Sequence, residues 1–158
     1  MTLAADLLAR ARDAGVMVAT AESCTGGMVA AAITDVAGSS AIFDRGFVTY
    51  TNAAKIAMLG VSPETLATHG AVSEDVAAQM ATGALAHSQA IFAVSTTGIA
   101  GPGGSEHKPE GRVCFGIAGP RGCHTETVEF GAIGRDAVRR AATQHALSLM
   151  LDAITASR

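Results

Sequence analysis

The sequence predicts a three-layer α/β/α domain with a mostly parallel sheet and one antiparallel strand. Two observations predict it. Short apolar, strand-like runs alternate with stretches of helical periodicity, the pattern of βαβ units and a parallel sheet. The alternation then breaks once, at Gly119-Pro120-Arg121-Gly122, where two strand-like runs meet across a hairpin signal.

The elements follow in order. Residues 2–14 place Leu3, Leu7, Leu8 and Ala11 on one helical face, and Gly15 suits a C-cap. Residues 16–21 read as a short buried strand. Gly26 and Gly27 open a helix that runs to about Val36, with Gly38 closing it. Phe47 to Tyr50 read as a second strand, Ala53 to Leu59 as a short helix, and Pro63 starts another helical turn. Ser73 is an N-cap for a helix from Glu74 to about His87. Ala90 to Ser95 form a third strand, followed by a glycine-rich loop from Gly98 to Gly111. Strands from Arg112 to Ala118 and from His124 to Phe130 make the hairpin. The last helix runs from about Arg135 to Ala156.

The 158 residues suit one domain over 1–158 with a sizeable core. Apolar residues make up 49% and charged residues 16%, a globular balance rather than a disordered one. A net charge of −3 gives no general surface for nucleic acid or membrane. The N-terminal stretch lacks the basic and apolar regions of a signal peptide, and no run of ~18 apolar residues predicts a transmembrane helix. Cys24, Cys114 and Cys123 are odd in number and outside CxxC spacing, which reads as reduced and cytoplasmic, without a structural zinc. The His residues are scattered, with no HExxH, so no metal is expected. The Ala-rich helix surface suits a homo-oligomer.

Three polar segments fall at the carboxyl ends of predicted strands, where open α/β sheets bind ligands. They are Glu22 to Gly27, Tyr50 to Lys55, and Thr96 to Gly104. Any one alone is also ordinary loop chemistry, with hydroxyls capping helices and glycines taking positive φ. The first packs a carboxylate, two hydroxyls, a thiol and two glycines onto one bend. Ser23 and Cys24 compete there as nucleophiles, at a helix N-terminus able to bind an oxyanion or phosphate. Cys24 needs a histidine partner, and none stands nearby in sequence; a small buried thiol is the plainer reading. Ser23 needs a base. Lys55 qualifies if burial lowers its pKa, and Tyr50 can pass or hold the proton. Lys55 and Lys108 are the only lysines beside nine arginines, and a desolvated lysine can be neutral where arginine stays charged.

Other motifs are absent. Tyr50 and Lys55 are not in YxxxK spacing, residues 98–104 lack the GK[ST] of a P-loop, and Ser23 is not in GxSxG. Arg135, Arg139 and Arg140 open the last helix, either as a phosphate clamp or as a solvated face paired with Asp136. Lys108 is a lid contact or an exposed side chain.

Together, TAESCTGG, GSSAIFDRGFVTYTNAAK, GAVSE, TTGIAGPGGSEHKPEGRVCFGIA and GRDAVRRAA resemble the CinA C-terminal domain, the family of nicotinamide-nucleotide amidohydrolases, over roughly residues 3–155. The resemblance is to the stand-alone form. It implies an α/β/α sandwich with a mixed five-stranded sheet and hydrolysis of the carboxamide of nicotinamide mononucleotide, without a cofactor. It places the family serine at Ser23, its tyrosine at Tyr50 and its lysine at Lys55. Thr97, with Gly98, takes the hydroxyl position of the glycine motif, and Arg139 fits the last-helix arginine best, with Arg135 as the neighbouring candidate. Thr25, Gly26 and Gly27 join these as substrate-binding candidates. Two other readings stand beside this one: a nucleotide-binding or regulatory module without turnover, and a Ser-Lys amidase on another small amide.

Overall fold

The computed structural model describes residues 2–157. Helix α1 (Leu3–Ala14) is capped by Thr2, whose Oγ1 accepts from Ala5 N, and ends on Gly15 at φ 67°. Next come β1 (Val18–Glu22), α2 (Met28–Thr34), one 3-10 turn at Ser39–Ala41, and β2 (Phe43–Val48). Helices α3 (Asn52–Leu59), α4 (Pro63–His69) and α5 (Glu74–Ala86) lead to β3 (Phe92–Gly98). The hairpin of β4 (Arg112–Gly119) and β5 (Gly122–Glu129) precedes α6 (Arg135–Ala156).

The sheet order is β2-β1-β3-β4-β5. β1 pairs in parallel with β2 and β3, whereas β4 is antiparallel to both neighbours. Four strands therefore share one direction and β4 alone opposes it, which is the predicted mixed, mostly parallel sheet. The carboxyl ends of β1, β2 and β3 meet at one edge, and the loop after β5 brings the N-terminus of α6 to the same edge.

Side-chain alternation divides the core. Val18, Phe92, Val94, Val113 and Phe115 point to the face covered by α1, α2 and α6, where Leu7, Ile33, Leu147 and Met150 pack. Ala19, Ala21 and Ala93 point to the other face, against Leu59, Leu66, Val76 and Met80 of α3, α4 and α5. Small residues on this second face let α5 lie close. Ser95 Oγ donates to Ala77 O at 2.6 Å, and a Cβ at Gly116 would stand 2.6 Å from that same carbonyl. In α5, a Cβ at Gly83 would stand 2.0 Å from Leu59 O, so the Ala- and Gly-rich composition has a packing cause.

Several boundaries differ from expectation, and three of them bear on the site. The second strand is Phe43–Val48 rather than Phe47–Tyr50. It is an edge strand, and Asp44, Arg45 and Gly46 hide the alternation that marks a strand buried on one face. Helix α2 starts at Met28, because Gly26 (φ 59°) and Gly27 (φ 107°) form the turn before it. β3 continues through Thr96 and Thr97 to Gly98, its hydroxyls satisfied inside the protein.

Candidate active site

β1 is buried along its length and ends in Glu22, whose side chain is 1% exposed. A carboxylate this deep needs partners. Glu22 Oε1 accepts from Thr25 Oγ1 at 2.6 Å, Gly27 N at 3.2 Å and Val29 N at 2.9 Å; Oε2 accepts from Ala30 N at 3.0 Å. The carboxylate thus occupies the N–H groups that open α2, so this helix N-terminus is already satisfied and does not face a ligand. Thr25 Oγ1 also pairs with Thr96 Oγ1 at 2.8 Å, and Ser23 N donates to Thr96 O at 2.9 Å. These bonds fix the bend on which Ser23 sits. Among the described residues, the N–H groups of Cys24 and Thr25 have no hydrogen-bond acceptor from another residue.

Thr51 starts α3 by accepting from Ala54 N at 3.1 Å, and its first turn carries Lys55 inward. Lys55 is 1% exposed. Its Nζ donates to Ser23 Oγ at 3.0 Å and to Thr49 O at 3.0 Å. Desolvation holds the Lys55 amine below the ordinary lysine value, opposed by the charge of Cys24 when it is ionised and by that of Glu106. Cys24 is buried beside Ser23, and burial pushes its thiol up to about 12, so it stays protonated at neutral pH. A buried hydroxyl thus meets a buried amine biased toward its neutral form.

A cleft of about 330 Å³ opens over this pair, within the range of small-molecule sites. Ser23, Cys24, Lys55, Tyr50, Thr97, Gly98, Arg135 and the glycine loop line it. Thr97 Oγ1 donates to Ala71 O at 2.8 Å. Tyr50 is 57% exposed at the mouth, and its hydroxyl accepts from Arg135 Nη2 at 2.7 Å. Arg135 Nη1 donates to Gly101 O at 2.7 Å. Among the described residues, no hydrogen bond ties Tyr50 to Ser23 or Lys55.

The remaining candidates lie outside the cleft lining. Thr25 is fully buried under the bend, and Gly26 and Gly27 form its turn. Arg139 Nε donates to Cys24 O at 3.1 Å and Nη2 to Thr25 O at 3.4 Å, so its guanidinium braces the bend from behind. Arg140 points away and pairs with Asp136. Two contributors were in view in the sequence without a settled role, Glu22 within the first polar segment and Lys108 as a lid contact or an exposed side chain. The signal of Glu22 was a carboxylate closing an apolar strand. Lys108 Nζ donates to His69 O at 2.8 Å and Val72 O at 2.6 Å and straps the glycine loop to the α4–α5 connection.

Fold and cleft define the class: an α/β/α protein carrying a serine–lysine pair at the carboxyl edge of its sheet. The sequence matches the family described as CinA C-terminal domain over residues 1–154, and the chain belongs to that family. It is 59% identical over 137 residues to the nicotinamide-nucleotide amidohydrolase PncC of Escherichia coli K12, covering 86% of this chain and 83% of that one. The PncC of Enterobacter agglomerans is 51% identical over 150 residues, covering 94% and 92%. Among solved structures, a competence/damage-inducible protein of Agrobacterium tumefaciens superposes with a TM-score of 0.92 at 52% identity, over 97% of this chain and 93% of that one. A CinA superfamily protein of Klebsiella pneumoniae gives 0.93 at 35%, over 97% and 96%. Among the described residues, no helix is long and apolar enough to cross a membrane.

Proposed function

We propose that the chain, working as one amidohydrolase domain, hydrolyses the carboxamide of nicotinamide mononucleotide to nicotinate mononucleotide and ammonia. The similarity to two amidohydrolases of that name supports the substrate. The observation that carries the chemistry is the 3.0 Å contact between Lys55 Nζ and Ser23 Oγ, with the amine buried and its pKa lowered.

Ser23 Oγ attacks the amide carbon while neutral Lys55 takes the hydroxyl proton. The N–H groups of Cys24 and Thr25 follow the nucleophile on the bend and face the developing oxyanion. The Lys55 ammonium then protonates the departing nitrogen, the C–N bond breaks and ammonia leaves. Water, deprotonated by Lys55, attacks the Ser23 ester; the ester C–O bond breaks, Lys55 returns the proton to Ser23 Oγ, and the product acid leaves and ionises to the carboxylate. The proton path is direct, because the Tyr50 hydroxyl is bonded to Arg135. Tyr50 and Arg135 instead hold the phosphate end at the mouth, with Thr97, Gly98 and the glycine loop forming the wall. Arg139, Thr25, Gly26 and Gly27 act one layer back, by holding the bend.

Incubating purified protein with nicotinamide mononucleotide, nicotinamide riboside and free nicotinamide tests this. The expected result is equimolar ammonia and nicotinate mononucleotide from the mononucleotide, with much less product from the other two. Equal hydrolysis of all three, or of unrelated amides alone, would refute the substrate assignment.

A further inference from the structure

The cleft carries charges of both signs. Lys55 and Arg135 are its cations, and Glu106 is the one carboxylate among its lining residues. Glu106 is an unusual residue to find on a glycine loop. It sits at φ 51° and its neighbour His107 at φ 64°, in a two-residue turn closed by Ser105 N to Lys108 O at 3.0 Å and Lys108 N to Ser105 O at 2.8 Å. Left-handed backbone at consecutive non-glycine residues is costly and persists only where the surroundings hold it.

The surroundings do hold it. Lys108 ties the turn to His69 O and Val72 O on the far wall. Gly70 lies directly beneath: a Cβ there would stand 2.6 Å from Glu106 Oε2 and 2.8 Å from Lys108 Nζ. The carboxylate thereby stands beside Gly70 on the cleft wall, on the loop that also carries Gly101, Pro102, Gly103 and Gly104. Its charge is felt at Lys55, where it opposes the effect of burial.

This inference rests on the reading of the substrate as nicotinamide mononucleotide. That molecule has a neutral carboxamide, an anionic phosphate and a pyridinium ring bearing a positive charge next to the reacting group. The phosphate matches Arg135 at the mouth. Neither Arg135 nor Lys55 explains how a cationic ring is accepted beside a lysine. We propose that Glu106 is a specificity-determining residue whose carboxylate, set on the strapped turn, selects substrates with a positively charged pyridinium ring over those with an uncharged ring. A carboxylate within several ångströms of a ring cation in a partly exposed cleft is expected to change relative affinity about tenfold.

The test compares nicotinamide mononucleotide with its reduced form, whose dihydropyridine ring is uncharged. The kcat/KM ratio for the two is measured in wild type and in Glu106→Gln. The intrinsic reactivities of the two amides cancel between the two proteins. The expected result is a fall in the ratio of about tenfold in the variant, with melting temperature retained. An unchanged ratio would overturn the proposal. Binding of both nucleotides to Ser23→Ala and to Ser23→Ala/Glu106→Gln, by calorimetry, gives a readout independent of turnover. A tenfold loss confined to the cationic ring supports the proposal, and equal losses for both rings count against it. Absence of ammonia from either nucleotide with wild type would instead refute the amidohydrolase reading, while the binding ratio would still decide the role of Glu106.

Discussion

Glu22→Gln isolates the carboxylate that holds the nucleophile bend. Glutamine keeps the shape and one acceptor oxygen. If that oxygen takes the Oε1 position, the bonds from Thr25 Oγ1, Gly27 N and Val29 N survive, and the amide nitrogen faces Ala30 N. A donor then meets a donor. Leaving a buried N–H without an acceptor costs about 1–3 kcal/mol. Removing the negative charge from the start of α2 forfeits up to ~2 kcal/mol more in a buried setting. The sum is roughly 1–5 kcal/mol. At ~2–4 °C per kcal/mol for a chain of this size, the melting temperature falls by roughly 2–20 °C. Thermal unfolding by circular dichroism reads the shift, and kcat falls with it because Ser23 loses its fixed placement. A melting temperature within ~1 °C of wild type would refute the assignment of Glu22 as the anchor of the bend.

Further outcomes follow from the same geometry. Lys55 must be neutral to act as base, so kcat/KM rises with pH up to the Lys55 pKa and levels off above it. Burial places that limb on the acid side of the ordinary lysine value, and a limb at or above that value would contradict the role. Lys55→Arg abolishes turnover, since guanidinium stays protonated; an active variant would move the base elsewhere. Arg135→Ala raises KM for the mononucleotide with little effect on kcat, whereas Arg139→Ala lowers kcat and melting temperature through the Cys24 and Thr25 carbonyls it braces. Steady-state kinetics that gave both variants the same pattern would refute this division. Cys24→Ala retains turnover within a few-fold, because a thiol pushed up to about 12 supplies no thiolate; loss of activity with the fold intact would reopen the thiol as nucleophile.

The architecture was legible because strand and helix periodicities alternate cleanly and the hairpin signal is local. The observed span of α6 agrees with the expected one, from about Arg135 to Ala156. β2 was displaced because one polar edge strand carries little alternation. At the site, Lys55 stood out by composition, and the strand-end rule put it near Ser23. The rest depended on three-dimensional placement. Arg135 and Arg139 lie one helical turn apart on one face, and that ~5.4 Å separates a guanidinium at the cleft mouth from one behind the bend. Glu22 reaches the N–H groups of a helix that begins several residues later, so it resembles no N-cap pattern. Lys108 bonds to carbonyls more than thirty positions earlier in the chain, beyond the reach of any local pattern.

Ammonia release from nicotinamide mononucleotide by wild type and Ser23→Ala, measured side by side on protein shown to be folded, tests the central claim most directly. The serine–lysine account predicts steady release by wild type and none above background from the variant, with the nucleotide still bound. Turnover by Ser23→Ala near the wild-type rate would contradict it, because no other hydroxyl is hydrogen-bonded to Lys55 among the described residues.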